Sequence, residues 1–323
     1  MKKKILLITK DPNLYRQGNY YKEWIDVLSS HNDIELVRYD FSSKIENLSF
    51  DKIIFCHSYF DIVYERIRLI RRFPFRYLPT KFLETLSIKL LFTFDKNFKL
   101  FKKSEIEKVF FSKNDYKNFN LKILISKALR FNKIITHTKN AIPYFKNEID
   151  SNVIWIPFTI SKLNFKKTKR KVIDVGFRGN FNDKYNNGIR RNFFNELIKI
   201  KEEFNFDLIP NNNGENFIHG TEYVDWLSSC KLIANTESAF GTVGPKFFES
   251  IACNTMNICP TGEYENILEP DKHYVSVKTD FSNLKYKIEL FLNNKKYRSY
   301  IQNNSKILLQ NNYIENYIEK ILN

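Results

Sequence analysis

The chain has 323 residues, 43% of them hydrophobic, with 30 Phe, 18 Tyr and only nine Gly and nine Pro. That composition excludes a disordered chain and is enough for two domains, each with its own core. The formal net charge of +16 points to an anionic partner, although a chain rich in Lys, Asn, Ile and Phe carries such an excess by composition alone.

Short β-branched and aromatic runs alternate with longer helical patterns. Strands are predicted at 4–9 (KILLIT), 34–38, 52–56 (KIIFC), 108–111, 133–136 (KIIT) and 153–156, with helices at 19–30, 62–72 and 119–131. The polar, basic stretch 161–170 then interrupts the pattern and reads as a linker. Beyond it strands are expected at 171–176, 206–209, 231–234 and 255–259, and helices at 188–203, 222–229 and 245–253. The last forty residues read as amphipathic helix, with Leu284, Ile288, Phe291 and Leu292 at helical spacing. This alternation predicts an α/β fold of two Rossmann-like domains, 1–157 and 158–323, whose parallel sheets face a central cleft. Ligands in such folds bind at the C-terminal ends of the strands.

Other compositional features are plain. Cys56, Cys230, Cys253 and Cys259 have no metal-ligand spacing and read as reduced, buried thiols. Ile5–Thr9 is too short for a signal segment, and no run of 18 apolar residues exists to cross a membrane. The expected location is the cytoplasm.

Residues 237–253 (ESAFGTVGPKFFESIAC) carry the most chemistry. Gly241, Thr242 and Gly244 make a tight loop with little side chain, and Pro245 suits the first helical position. A helix starting there offers N–H groups and a positive dipole end to an anion. Lys246 can meet a diphosphate, and Glu249, three residues on, shares its face and can accept from ribose hydroxyls. The plain alternative is a surface Lys–Glu pair.

The run K-F-F-E-S-I-A-C-N-T-M-N-I-C-P, followed by E-Y-E-N-I-L-E-P-D-K-H-Y-V, resembles the C-terminal domain of GT-B glycosyltransferases. It is most similar to the spore-maturation-type group and related capsule or lipopolysaccharide transferases. Lys246, Glu249, Ala252 and Cys253 match the family's helix, with Asn254 where Gly is usual; Asn also tolerates the left-handed cap. Glu263 and Glu265 match an acidic turn. Two glutamates eight residues apart, carried by many retaining members, are absent, so stereochemistry does not transfer. Val175–Asn180 is similar to the domain's first strand and loop, which approaches the donor phosphates. Arg178 is thereby a second candidate cation, while Arg190 and Arg191 are weaker candidates and read as solvated. The resemblance implies a nucleotide diphosphate sugar as donor and no resident cofactor. The absence of a D-x-D triplet favours a metal-independent reaction.

On the N-terminal side the candidates are Asp11, at the end of the first strand, and His57, which ends KIIFC ahead of Ser58 and Asp61. Either can act as general base on an acceptor hydroxyl, or as a turn residue and a structural His respectively. Lys113–Tyr116 occupies a similar position. Residues 64–103 interleave Arg and Lys with Phe and Leu, which suits docking on an anionic membrane surface as well as an ordinary basic helical layer. The acceptor expected is a bacterial surface glycan or a lipid-linked glycan. No nucleic-acid-binding signature is present. Two other readings stand beside the transferase: a sugar-nucleotide epimerase of the same fold, and a non-enzymatic basic protein binding membrane or nucleic acid.

Overall fold

The computed structural model describes residues 2–10, 20–39, 44–61, 86, 97–113, 115, 118–181, 188–210 and 216–323. Asp11, Asn114, Tyr116, the helix expected at 62–72 and most of the basic stretch 64–103 lie outside the described residues.

The chain divides into two compact units. The first comprises Met1–Tyr15, Trp24–Pro157 and Lys320–Asn323; the second comprises Arg16–Glu23 and Phe158–Glu319. The first sheet contains β1 (Lys3–Ile8), β2 (Ile34–Tyr39), β3 (Lys52–Phe55), β4 (Glu107–Phe111), β5 (Lys133–Thr136) and β6 (Asn152–Trp155). Helices α1 (Tyr20–Ser30), α2 (Phe98–Lys103), α3 (Phe119–Leu129) and α4 (Ile142–Glu148) connect them. The order is β2-β1-β3-β4-β5-β6, parallel throughout. All four residues of each of the runs KIIF and KIIT are buried, as expected of strands covered on both faces. Their leading lysines reach the chain's last turn. Lys52 donates to the carbonyls of Ile321 (3.0 Å) and Leu322 (2.8 Å), and Lys133 to that of Lys320 (3.3 Å). Helix-end carbonyls that lack intrahelical partners are thus satisfied by cations.

The second sheet contains β7 (Ile173–Gly179), β8 (Phe206–Pro210), β9 (Cys230–Ala234), β10 (Met256–Pro260) and β11 (Val275–Val277). With it go α5 (Ile189–Lys199), α6 (Gly220–Ser229), α7 (Lys246–Ala252), α8 (Leu284–Asn293) and α9 (Lys295–Gln310), while the last helix, α10 (Ile318–Leu322), has its residues from Lys320 onward in the first unit. The order β11-β10-β9-β7-β8 is again parallel. Phe193, Leu232, Phe247, Phe248, Ile258 and Ile288 are fully enclosed in its core, each stabilising the fold by about 2 kcal/mol relative to exposure. The strand β11 was not expected from the sequence; three residues are too few for a readable period. All four cysteines are buried free thiols.

Candidate functional site

In a sheet ordered β11-β10-β9-β7-β8, successive connections from β7 leave in opposite directions. The topological switch point therefore lies between the C-terminal ends of β7 and β9. Three groups from separate elements meet there. Gly179 closes β7, and a Cβ at that position would stand 3.9 Å from Lys246 Nζ and 4.0 Å from Arg190 Cδ. The Lys246 ammonium donates to the carbonyl oxygen of Arg178. Arg190, on the first turn of α5, donates from Nε to Thr236 Oγ1 (3.0 Å) and from Nη1 to the Asn180 carbonyl (3.2 Å). Desolvation, then the nearby Arg190 charge, pull the Lys246 pKa below the usual lysine range. Two cations held this close suit a dianionic ligand.

Glu249 is buried on α7 and accepts from the Tyr223 hydroxyl at 2.7 Å. Burial raises its pKa, with Tyr223 and Lys246 opposing. The surface-pair alternative for Lys246 and Glu249 does not hold: the lysine bonds a backbone carbonyl and the carboxylate a tyrosine. Near it lies Glu23, which sequence reasoning missed. Glu23 is 2% exposed and accepts from the Ser161 amide at 2.8 Å. Desolvation raises its pKa to about 7, with Glu249 adding to the rise. An acid in a helix's first turn carries no sequence signal that distinguishes it from a surface residue.

The loop before α7 is closed on itself. Ser238 N–H donates to the Thr242 carbonyl (2.9 Å), and Thr242 Oγ1 to the Ala239 carbonyl (2.8 Å). Gly241 adopts φ +67°, and a Cβ there would lie 3.2 Å from the Glu263 side chain. Glu237 accepts from the Glu263 and Tyr264 amides (3.0 and 3.2 Å), and Glu265 from that of Val243 (3.1 Å). The acidic turn thus anchors the loop. Gly244, in contrast, faces open space: nothing lies within 4 Å of a Cβ built there.

Two expectations change. The start of α7 is not an open row of donors, because the amides of Phe247, Phe248 and Glu249 are bonded to the carbonyls of Gly244 and Pro245. Arg178 accepts from Lys246 through its carbonyl, and its guanidinium acts on Lys246 only as a charge, behind Arg190 and Glu249. Its side chain pairs with Asp207 (3.1 Å) and lies over the Trp226 ring (5.2 Å). It lines a groove of about 550 Å³ with Lys169, Arg170, Ile218, Glu222 and Trp226. Strand parity explains this. Gly176 faces Cys230 and Trp226, and Arg178, two residues on, shares that face. Arg190, read as solvated from sequence, takes the position beside Lys246.

In the first unit the switch point lies between β1 and β3. Ser58 Oγ meets Thr9 Oγ1 at 3.3 Å and accepts from the Lys10 amide at 3.1 Å. His57 begins a helical segment, 57–61, rather than ending the strand. Its Nε2 lies 3.0 Å from Asp61 Oδ1, and burial lowers the imidazole pKa. A neutral imidazole oriented by a carboxylate has the form of a base and its orienting group. Asp115 is instead structural: it is fully buried, pairs with Lys122 at 2.9 Å and accepts from Ser112 and Thr136 hydroxyls. Among the described residues no helix is long and apolar enough to cross a membrane.

Residues 190–323 match the family model described as "Glycosyl transferase-like". No curated protein matches the sequence. Solved structures are similar over nearly the whole chain at low identity. HepE of Anabaena, bound to UDP and glucose, has 9% identity and a TM-score of 0.57, covering 99% of each chain. An α-glucosyltransferase bound to UDP and a 13-mer DNA has 10% identity and a TM-score of 0.63, covering 100% of this chain and 98% of the other. Sucrose-phosphate synthase of Thermosynechococcus elongatus has 10% identity and a TM-score of 0.54, covering 99% and 98%. At such identities these likenesses speak to fold. They show the GT-B fold for the chain, and the family match over 190–323 makes its second unit similar to glycosyltransferases.

Proposed function

We propose that the second unit binds a nucleotide diphosphate sugar at the β7–β9 switch point, and that the protein transfers the sugar to a bacterial surface glycan or lipid-linked glycan. The observation that carries this is the convergence of Lys246 and Arg190 on Gly179, with the buried Glu249 one helical turn beyond. Lys246 and Arg190 neutralise the diphosphate, and Glu249, held by Tyr223, accepts from the ribose. As the glycosidic bond breaks, the same two cations stabilise the departing nucleoside diphosphate, so no metal ion is required. HepE and the α-glucosyltransferase carry UDP in their structures, which supports a nucleotide donor here. The net charge of +16 and the basic, aromatic composition of 64–103 favour an acceptor at an anionic membrane surface.

In the first unit, His57 is the candidate for handling the acceptor hydroxyl, oriented by Asp61; Asp11 is the second. Lys246→Ala and Glu249→Ala are each expected to lower donor turnover at least about 100-fold. Sugar transfer at the wild-type rate in both variants would refute the assignment. Release of nucleotide only when a glycan is added would exclude an epimerase.

A further inference from the structure

Helix α9 is held firmly on its inner face and is bare on its outer one. Ile301, Ser305 and Leu309 are buried, and Ser305 Oγ donates to the His273 carbonyl at 2.8 Å. Asn294 caps the helix by accepting from the Tyr297 amide at 2.9 Å. Arg298 donates to the carbonyls of Phe291 and Leu292 near the end of α8. The outer face carries Tyr300, 53% exposed, and Ile307, 56% exposed. Single exposed apolar side chains are ordinary on a protein surface. Among the described residues, however, no other helix carries two of this size. Lys296, Tyr300, Asn303 and Ile307 are all exposed and follow at i, i+4, i+7 and i+11, which makes one stripe roughly 16 Å long.

The charge along this stripe has one sign. No acidic residue occurs between Glu289 and Glu315. Lys295, Lys296 and Lys306 are exposed and pair with no carboxylate among the described residues. On α8, by contrast, Lys285 and Lys287 are neutralised by Glu203 and Asp271. A second copy of the chain docking by the same face would set lysine against lysine. Apolar side chains in a row of unpaired lysines match a surface that is anionic outside and apolar beneath. We propose that the outer face of α9 docks on an anionic lipid surface, with Tyr300 and Ile307 entering the headgroup layer and the three lysines meeting lipid phosphates. The lysine stems lie along apolar surface while their ammoniums reach the phosphates. This names the element that brings the protein to the membrane-surface acceptor proposed above, and it rests on that reading.

Vesicles of phosphatidylglycerol with phosphatidylcholine, and of phosphatidylcholine alone, are sedimented with three proteins: wild type, the double variant Tyr300→Ser with Ile307→Ser, and the double variant Lys296→Gln with Lys306→Gln. Wild type should bind the anionic vesicles and leave the neutral ones in suspension without it. Each double variant should weaken the binding about tenfold or more. Tm should be unchanged, because all four side chains are exposed. Equal binding of the three proteins to anionic vesicles would overturn the assignment to α9 and leave the acceptor reading intact. Weakening in the lysine variant alone would mark a purely electrostatic contact, as with nucleic acid or an acidic protein, and would overturn it too. So would equal binding of wild type to neutral vesicles. A wild type that binds neither vesicle would overturn both the assignment and the membrane-surface acceptor.

Discussion

Arg178 and Arg190 show how far a single residue can be read. Both are arginines near a predicted phosphate loop, and sequence similarity favours the first. The period of a strand decides otherwise, since Arg178 shares the Gly176 face against Trp226 while Arg190 enters from α5. The two variants should therefore separate. Arg190→Ala should lower kcat/KM for the donor about 100-fold or more with little change in Tm. Arg178→Ala should chiefly destabilise, by about 2 kcal/mol, because Asp207 loses its cation in a largely buried setting. Denaturant unfolding and steady-state kinetics on both check this.

Glu23 adds a pH signature. Its folded pKa, about 7, lies above the ordinary 4.5, so the native state binds more protons than the unfolded chain between those values. Its contribution is fully present below about pH 4.5 and is lost as pH rises through 7, amounting to about 3 kcal/mol. Glu23→Gln keeps an acceptor for Ser161 but does not titrate. The stability difference between pH 5 and pH 8, measured by denaturant unfolding, should shrink accordingly in the variant. An identical pH dependence in both proteins would show that Glu23 does not carry the effect.

At the scale of elements, most of the fold was legible. KIIF and KIIT read as buried strands because β-branched runs flanked by polar residues leave little choice. Asn254 was expected to cap α7 in the left-handed region, and it does so at φ 56°. The short β11 left no pattern long enough to read, and the self-closed start of α7 depends on loop geometry that spacing does not encode. The lysines heading β3 and β5 were equally opaque, because their partners are carbonyls of the distant segment Lys320–Leu322. Lys52 is 4% exposed and also pairs with Glu107 at 2.9 Å. Lys52→Met should therefore cost about 2 kcal/mol in urea unfolding. Lys169→Met, at an exposed pair with Asp225, should cost little. Gly176→Ala should destabilise by about 1–3 kcal/mol, because its Cβ would meet Cys230 Sγ at 2.6 Å.

For the whole molecule, architecture survives where sequence does not. Identities of 9–10% accompany TM-scores of 0.54–0.63 over nearly the entire chain. Two parallel sheets with a switch point each are satisfied by any chain that keeps the apolar periods and strand order. What separates one such chain from another is the few side chains at those switch points. If Lys246 and Arg190 neutralise the diphosphate alone, wild-type turnover should be unchanged by excess EDTA and should fall as salt screens the cations. The most direct test of the donor site is calorimetric titration of wild type, Lys246→Ala and Glu249→Ala with UDP-, GDP-, dTDP- and CMP-sugars. The geometry predicts that wild type binds a diphosphate-linked sugar, that either substitution weakens it at least about 100-fold, and that CMP-sugars, which lack the second phosphate, bind poorly. Equal affinity in all three proteins, or a preference for CMP-sugars, would contradict it.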